Sequence, residues 1–371
     1  MSSTNIPVPR MKNSFLKSLC FVAAALALIL TACSTNSTQT TSTTPTAGTG
    51  SSNVHQAGDF GLGALPGYSI SLFASGTSSY NNPDTVVVDN GHVFIGYQNT
   101  TAKDCTDSNS STIVEYSMDG KVVKQFSMPG HNDGMRADPS THLLWVTSCE
   151  DGNAKMATID PTSGTVTPYT FPPAPHGGGY DDLFFLNGMT FIAASNPTLD
   201  KNGNNVFPAV DQITLSGGKA VLKPVLMGNA SAVDLTMNNA KVTLNEVDPD
   251  SLSVDTKGDL VLVNQGGSEI VFLSNPGTPQ QKVSRIPVGT QLDDTVWATS
   301  THGRLLVVDA GTNNTYWVSV PQFVPGAIYT QAPNDSGVVD FVGVVDPTTG
   351  FVTPVVIGFS KATGMLFVPN S

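Results

Sequence analysis

Five aspartates recur in one setting along the chain. Asp84 opens Asp84-Thr85-Val86-Val87-Val88, and Asp133 opens Asp133-Gly134-Met135-Arg136-Ala137. Asp182 opens Asp182-Leu183-Phe184-Phe185-Leu186, while Asp250 and Asp294 stand before Ser251–Val254 and Thr295–Ala298. Each begins a phrase of a short β run, a polar or Gly turn and a second β run. In a fold of radially repeated units such positions fall on a ring, with Asn132, Asp181 and Asp293 beside them. Carboxylates that close repel one another, so some are protonated, hydrated or bridged by a cation. Oxygen donors with few His or Cys suit Ca2+ or Mg2+ rather than zinc. The same aspartates also have a plainer use, accepting backbone N–H bonds in tight turns, and the sequence leaves both readings open. His131 and His176 lie just before two of these starts and are candidates to meet a ligand as bases.

The elements that would position these residues repeat with them. Turns at Asn90-Gly91, Asn187-Gly188, Lys257-Gly258 and His302-Gly303 lead into the second runs, for example His92–Gly96 and Leu260–Val263. The Asp positions fall 49, 49, 68 and 44 residues apart, then 63 to Ile357, which precedes a final copy over Phe359–Val368. Such periods match four-stranded propeller blades of roughly 40–50 residues plus insertions. Outer strand pairs follow: Ile113–Ser117 with Val122–Phe126 around Asp119-Gly120, Ala157–Asp160 with Thr165–Thr170, Gln212–Leu215 with Ala220–Val225, and Val342–Val345 with Val352–Ile357. The pattern predicts an all-β chain: a six-bladed β-propeller over residues 56–371. The final copy has no outer strands after it, so Gly67–Ala74 is expected to close the ring by pairing with the C-terminal strands. Ala232–Val247 and Phe323–Ser336 read as loops or a hairpin on one face. Trp145, Trp297 and Trp317 read as packing between blades.

Composition narrows the function classes. Hydrophobic residues make up 39% and Gly adds 35 positions, which excludes wholesale disorder. Charged residues are 12%, about half the usual share, and a formal charge of -12 argues against nucleic acid as a partner. The chain has no Gly-x-Ser-x-Gly, His-Glu-x-x-His, phosphate-cradling loop or dinucleotide fingerprint. His176-Gly177-Gly178-Gly179, with no nucleophile elbow near it, reads as a link between blades.

The first part of the chain reads as address and tether. Arg10, Lys12 and Lys17 precede the apolar run Leu19–Leu30, too short for the about 20 residues of a membrane span. Leu30-Thr31-Ala32-Cys33 resembles the bacterial lipobox. That resemblance implies a signal peptide over residues 1–32, lipidation of Cys33 and anchoring in a membrane of the cell envelope. Ser34 after the Cys is similar to lipoproteins sent to the outer membrane, facing the periplasm or the surface. Residues 33–55, dominated by Ser, Thr and Gly, cannot offset the entropy of ordering and read as a flexible tether. Loss of the three basic residues with the signal takes the formal charge from -12 to -15. Cys105 and Cys149 then remain in an oxidising compartment, where an even remainder favours a disulfide; two buried thiols are the alternative.

Two segments carry a family resemblance. Asn132-Asp133-Gly134, Asp138-Pro139 and Leu144-Trp145, with Pro249-Asp250-Ser251, Asp255 and Gly258-Asp259-Leu260, resemble six-bladed propellers of the NHL-repeat and gluconolactonase-like (senescence marker protein) superfamily. The resemblance implies Asp250 as a ligand of a divalent cation and Asn132 as a substrate contact. Two departures stand against the enzyme reading. The family's metal-binding Asn corresponds to Asp182, and its metal-binding Glu would fall near Ile357, where nothing is acidic. The expectation is therefore a monomeric, lipid-anchored propeller that binds a small molecule, glycan or protein without catalysis. The alternative is a cation-dependent hydrolase or lyase acting at the propeller mouth.

Overall fold

The computed structural model describes residues 61–333 and 339–370. The expected signal peptide, Cys33 and the tether lie outside the described residues. Within them the all-β expectation holds, since strands, turns and bends occur and no helix does.

Among the described residues β1 (Gly63–Ala64) and β2 (Ser69–Ser75) come first, and antiparallel meanders follow. The first is β3 (Pro83–Asp89), β4 (His92–Tyr97), β5 (Ser110–Ser117) and β6 (Val122–Pro129). The next is β7 (Asn132–Ala137), β8 (Leu144–Ser148), β9 (Lys155–Ile159) and β10 (Val166–Thr170). A third follows as β11 (Leu183–Leu186), β12 (Met189–Ala193), β13 (Pro208–Ser216) and β14 (Lys219–Met227). Its outer edge touches the second meander through the parallel pair Thr170↔Lys219. The Asn-Gly turns act as the sequence suggests: Asn90 and Gly91 both take positive φ, 48° and 76°, the twist that closes a two-residue hairpin.

Residues 231–243 form the hairpin β15 (Ser231–Asp234) and β16 (Ala240–Thr243), which lies within the expected insertion Ala232–Val247. It lies against the outer edge of β17 (Pro249–Val254), β18 (Leu260–Asn264), β19 (Glu269–Ser274) and β20 (Lys282–Pro287), with β15 parallel to β20.

The last third departs from the expected order. The phrase pattern pairs β21 (Thr295–Trp297) with Leu305–Val308, its neighbour in sequence, but the two are not partners. The chain runs instead through β22 (Gly303–Asp309) and β23 (Asn314–Ser319), which belong to a different sheet. It returns as β24 (Ile328–Ala332), and β24 pairs with β21, Trp297 opposite Ile328. Phe323–Ser336 is thus no plain insertion, because it contains β24. β25 (Asp340–Val345) and β26 (Val352–Phe359) complete that sheet, with β1 on its edge. β27 (Ala362–Pro369) is one strand, not two runs about Gly364, and it pairs with β22. The strand order there is β2-β23-β22-β27, so β2 shares a sheet with the C-terminal strand but sits at the opposite edge. Alternating apolar residues mark a strand as buried; they do not name its partner.

The hydrophobic core lies between neighbouring groups of strands. Val87 and Phe94 pack with Met135 and Val146, and Met156 packs with Leu183 and Ile192. Phe191 meets Leu252, Val263 meets Trp297, Val342 meets Leu305, and Leu306 and Val308 meet Val86 and Ile95. Trp145 stands edge-on to Phe185 at 5.1 Å and Trp297 to Phe272 at 6.1 Å, both across such boundaries. In backbone contacts β3 neighbours β7, β7 neighbours β11, β11 neighbours β17, β17 neighbours β21, β21 neighbours β27 and β27 neighbours β3.

Candidate acidic mouth

The same irregularity occurs where each of these strands begins. Pro83 pairs with Tyr97 and Val86 with Ile95, so Asp84 and Thr85 together face Gly96. Asp133 and Gly134 likewise face Thr147, and Asp250 and Ser251 face Val263. Thr363 and Gly364 face Val308 in β22. Ahead of β11, the Asp181 N–H donates to Ala193 O at 3.2 Å and the Ala193 N–H donates to Asp182 O at 2.9 Å. Asp293 and Asp294 share Gln331 in the same manner, both bonds being 3.1 Å. Each is a β-bulge, two residues opposite one, which bends the strand and turns a side chain out of the ladder. All twelve bulge residues line one cavity.

The bulges sort the aspartates differently from the sequence phrases. The first place of each bulge is held by Asp84, Asp133, Asp181, Asp250, Asp293 and Thr363. Asp182 and Asp294 occupy second places, level with Thr85, Gly134, Ser251 and Gly364. In the third and fifth copies the equivalence expected from sequence is therefore off by one residue. The two classes also behave differently. Asp182 accepts from the Leu252 N–H at 3.0 Å and Asp294 from the Met365 N–H at 2.6 Å, so each staples its strand to the next. The glycines at second places answer a close approach. A Cβ on Gly364 would stand 1.9 Å from Asp84 O, and one on Gly134 would stand 2.5 Å from the Asp182 Cα.

The cavity holds about 80 Å³, room for several waters or an ion with part of its shell. Eight carboxylates line it against the three cations Lys103, Arg136 and Lys361. Burial pushes Asp84 up to about 7, helped by the charges of Glu150 and Asp294 and opposed by Lys361. Burial likewise raises Asp182 to about 7 against the pull of Arg136, whose guanidinium is hydrogen-bonded to it. Asp133, Asp181, Asp250 and Asp293 are all pushed well above the carboxylate range, by burial first and then by one another or Glu150. Glu150 is the exception. Burial raises it, but Lys103, 2.5 Å away, prevails and holds it below its usual value. Such a mouth is short of positive charge, and its donors fit a hard divalent cation through oxygen.

Three predicted residues take other places. His131 and Asn132 are buried beside the mouth without lining it, and neither is His176 among the lining residues. Asn132 Nδ2 donates to Thr147 O at 3.0 Å and Gly134 O at 3.2 Å, so its amide braces the bulge. His176 Nε2 bonds Gly179 O at 2.7 Å, with Tyr180 edge-on at 5.1 Å, and burial lowers its pKa. The disulfide forms between Cys105 and Cys149, with 5.5 Å between Cα atoms. It clamps the β4–β5 loop, which carries Lys103, beside Glu150. Gly130 is required there, since a Cβ would stand 2.5 Å from Cys105 Sγ. Sequence reasoning missed Glu150, Lys103 and Lys361. A signal existed for the first: Gln98 and Gln265 directly follow β4 and β18 and line the cavity, and Glu150 lies one residue past the equivalent place.

No protein-family model and no curated protein matches the chain. Among solved structures it is similar to a streptogramin B lyase, at 13% identity over 81% of this chain and 95% of that one, TM-score 0.46. A protein of unknown function from Bacteroides caccae matches at 11% identity, over 78% and 87%, TM-score 0.45. A putative gluconolactonase matches at 13% identity, over 85% and 93%, TM-score 0.44.

Proposed function

We propose that the chain is a six-bladed β-propeller whose axial mouth holds a hard divalent cation, Ca2+ or Mg2+, and presents it to an oxygen-rich small molecule. One observation carries this reading: twelve bulge residues from strands that neighbour one another in cyclic order line a single acidic cavity. In this reading the ring closes where β27, β22, β23 and β2 share a sheet. Asp84, Asp133, Asp181, Asp250 and Asp293 would hold the cation. Bound there, it would offset their mutual repulsion and offer open positions to ligand oxygens. Arg136 and the backbone N–H groups of Leu252 and Met365 already satisfy Asp182 and Asp294. The lipobox-like Leu30–Cys33 and the polar tether support a monomer anchored in the cell envelope, with the mouth free to meet its ligand or a protein partner. The test is calorimetric titration of the metal-stripped chain with Ca2+ and Mg2+. Binding that is lost in Asp250→Asn is the expected result, and no heat from either cation would refute the assignment.

A second reading, a cation-dependent hydrolase or lyase, rests on Asp84. A carboxyl near 7, beside Lys361, can exchange a proton at neutral pH. Lactone hydrolysis that needs the cation and falls at least a hundredfold in Asp84→Asn would favour it over plain binding.

A further inference from the structure

His131, Asp133 and Glu150 form a group of mixed donors at one side of the mouth. Their ligand atoms all lie within 4.8 Å of one another. His131 and Asp133 are 4% and 5% exposed, so their polar atoms find no help from solvent. The imidazole has a defined orientation. Its Nδ1 lies 2.7 Å from the Thr101 carbonyl, which can only accept, so Nδ1 carries the proton and Nε2 offers a lone pair. Nε2 lies 3.5 Å from another acceptor, Asp133 Oδ1. Oδ1 already receives the Gln98 amide at 3.2 Å. Among the described residues neither His131 Nε2 nor Asp133 Oδ2 has a hydrogen-bond partner. A lone pair and two carboxylates gathered within 4.8 Å of one another leave a place for a positive centre.

We propose that this place is a site for a first-row transition-metal cation of the Zn2+ or Mn2+ class, held by His131 Nε2, Asp133 and Glu150. The proposal rests on the mouth being a cation site and specifies its off-axis end. An imidazole in the donor set favours such ions over Ca2+, which collects six to eight oxygens. Donors about 2.1 Å from a tetrahedral Zn2+ stand about 3.4 Å apart, so the group must draw in by up to roughly 1.4 Å to close on the ion. The Thr101 carbonyl and the Lys103 ammonium supply outer contacts that hold His131 and Glu150 in place. The bond from Thr101 is the kind that metal-bound histidines make through their second nitrogen.

Calorimetry on the full chain, stripped of metal, separates this site from the ring. Zn2+ should bind at least tenfold more weakly to His131→Gln and Glu150→Gln, while Ca2+ binding is unchanged in His131→Gln. Mn2+ in the wild-type chain should show nitrogen coupling in pulsed electron paramagnetic resonance, a readout that needs no variant to fold. Equal Zn2+ affinity in His131→Gln, or Mn2+ bound without nitrogen coupling, would overturn the site. Loss of Ca2+ binding in Asp250→Asn alongside either result would leave the axial reading standing.

Discussion

Arg136 and Asp182 join neighbouring meanders at the mouth. The Arg136 guanidinium is bonded to Asp182 Oδ2 and to two carbonyls as well, Met135 O at 2.8 Å and Leu252 O at 2.9 Å. One cation thus links β7, the start of β11 and β17. Removing it leaves a buried carboxylate without its partner. Arg136→Met is expected to cost about 3 kcal/mol at pH 8, measured by urea unfolding. Adding Asp182→Asn should restore part of that loss, because no charge then remains to be stranded.

Gly364 tests the spacing of the inner strands. A methyl group added at this position would lie 1.9 Å from Asp84 O, so Gly364→Ala must push β27 away from β3. A loss of about 2–3 kcal/mol is expected from overpacking of this kind. Gly289→Ala is the control for the general cost of replacing a glycine, since no atom lies within 4 Å of its Cβ and its φ is not positive. A melting temperature no lower in Gly364→Ala than in the control would contradict the close approach.

Asp211 in β13 is buried away from the mouth, and burial alone pushes its pKa up to about 6. The sign follows from linkage. A carboxyl whose folded value lies above its unfolded value favours the native state when protonated, and that contribution is lost as pH rises from about 4 through 6. Asp211→Asn should therefore raise stability at pH 7.5 by about 1–2 kcal/mol and leave it nearly unchanged at pH 3.5. Unfolding curves for both proteins at the two pH values decide the point.

The disulfide closes a separation of 44 residues. Cys105→Ser with Cys149→Ser should lower stability by roughly 4 kcal/mol on the chain-entropy estimate. The loop it clamps also brings Lys103 to Glu150, so the same variant should bind cations at the mouth more weakly. Unchanged unfolding midpoints with and without reductant would count against both expectations.

Much of this arrangement was legible in the residues. The five Asp phrases do meet in one cavity, because a residue type repeated at equivalent strand starts is carried to equivalent places. The error of one residue in two copies has a simple origin: Asp181-Asp182 and Asp293-Asp294 are doublets, and only the ladder register says which member opens the bulge. The interleaving of β21 to β24 was not legible, since Leu305–Val308 is apolar on both faces and would suit either sheet. Arg136 was visible within its phrase, but only folding sets it against Asp182. Lys103 lies in a loop whose course depends on the disulfide.

The crossing of the chain between two sheets has a bearing on how the molecule is made. β22 and β23 leave the ribosome before β24 to β26, yet β22 takes as its inner partner β27, the last of the described strands. Their other neighbour, β2, emerges near the beginning. That sheet therefore waits, half-built and with an open edge, until β27 has been made. Such long-range closure is slow and leaves the nascent chain open to self-association at the unpaired strand edges.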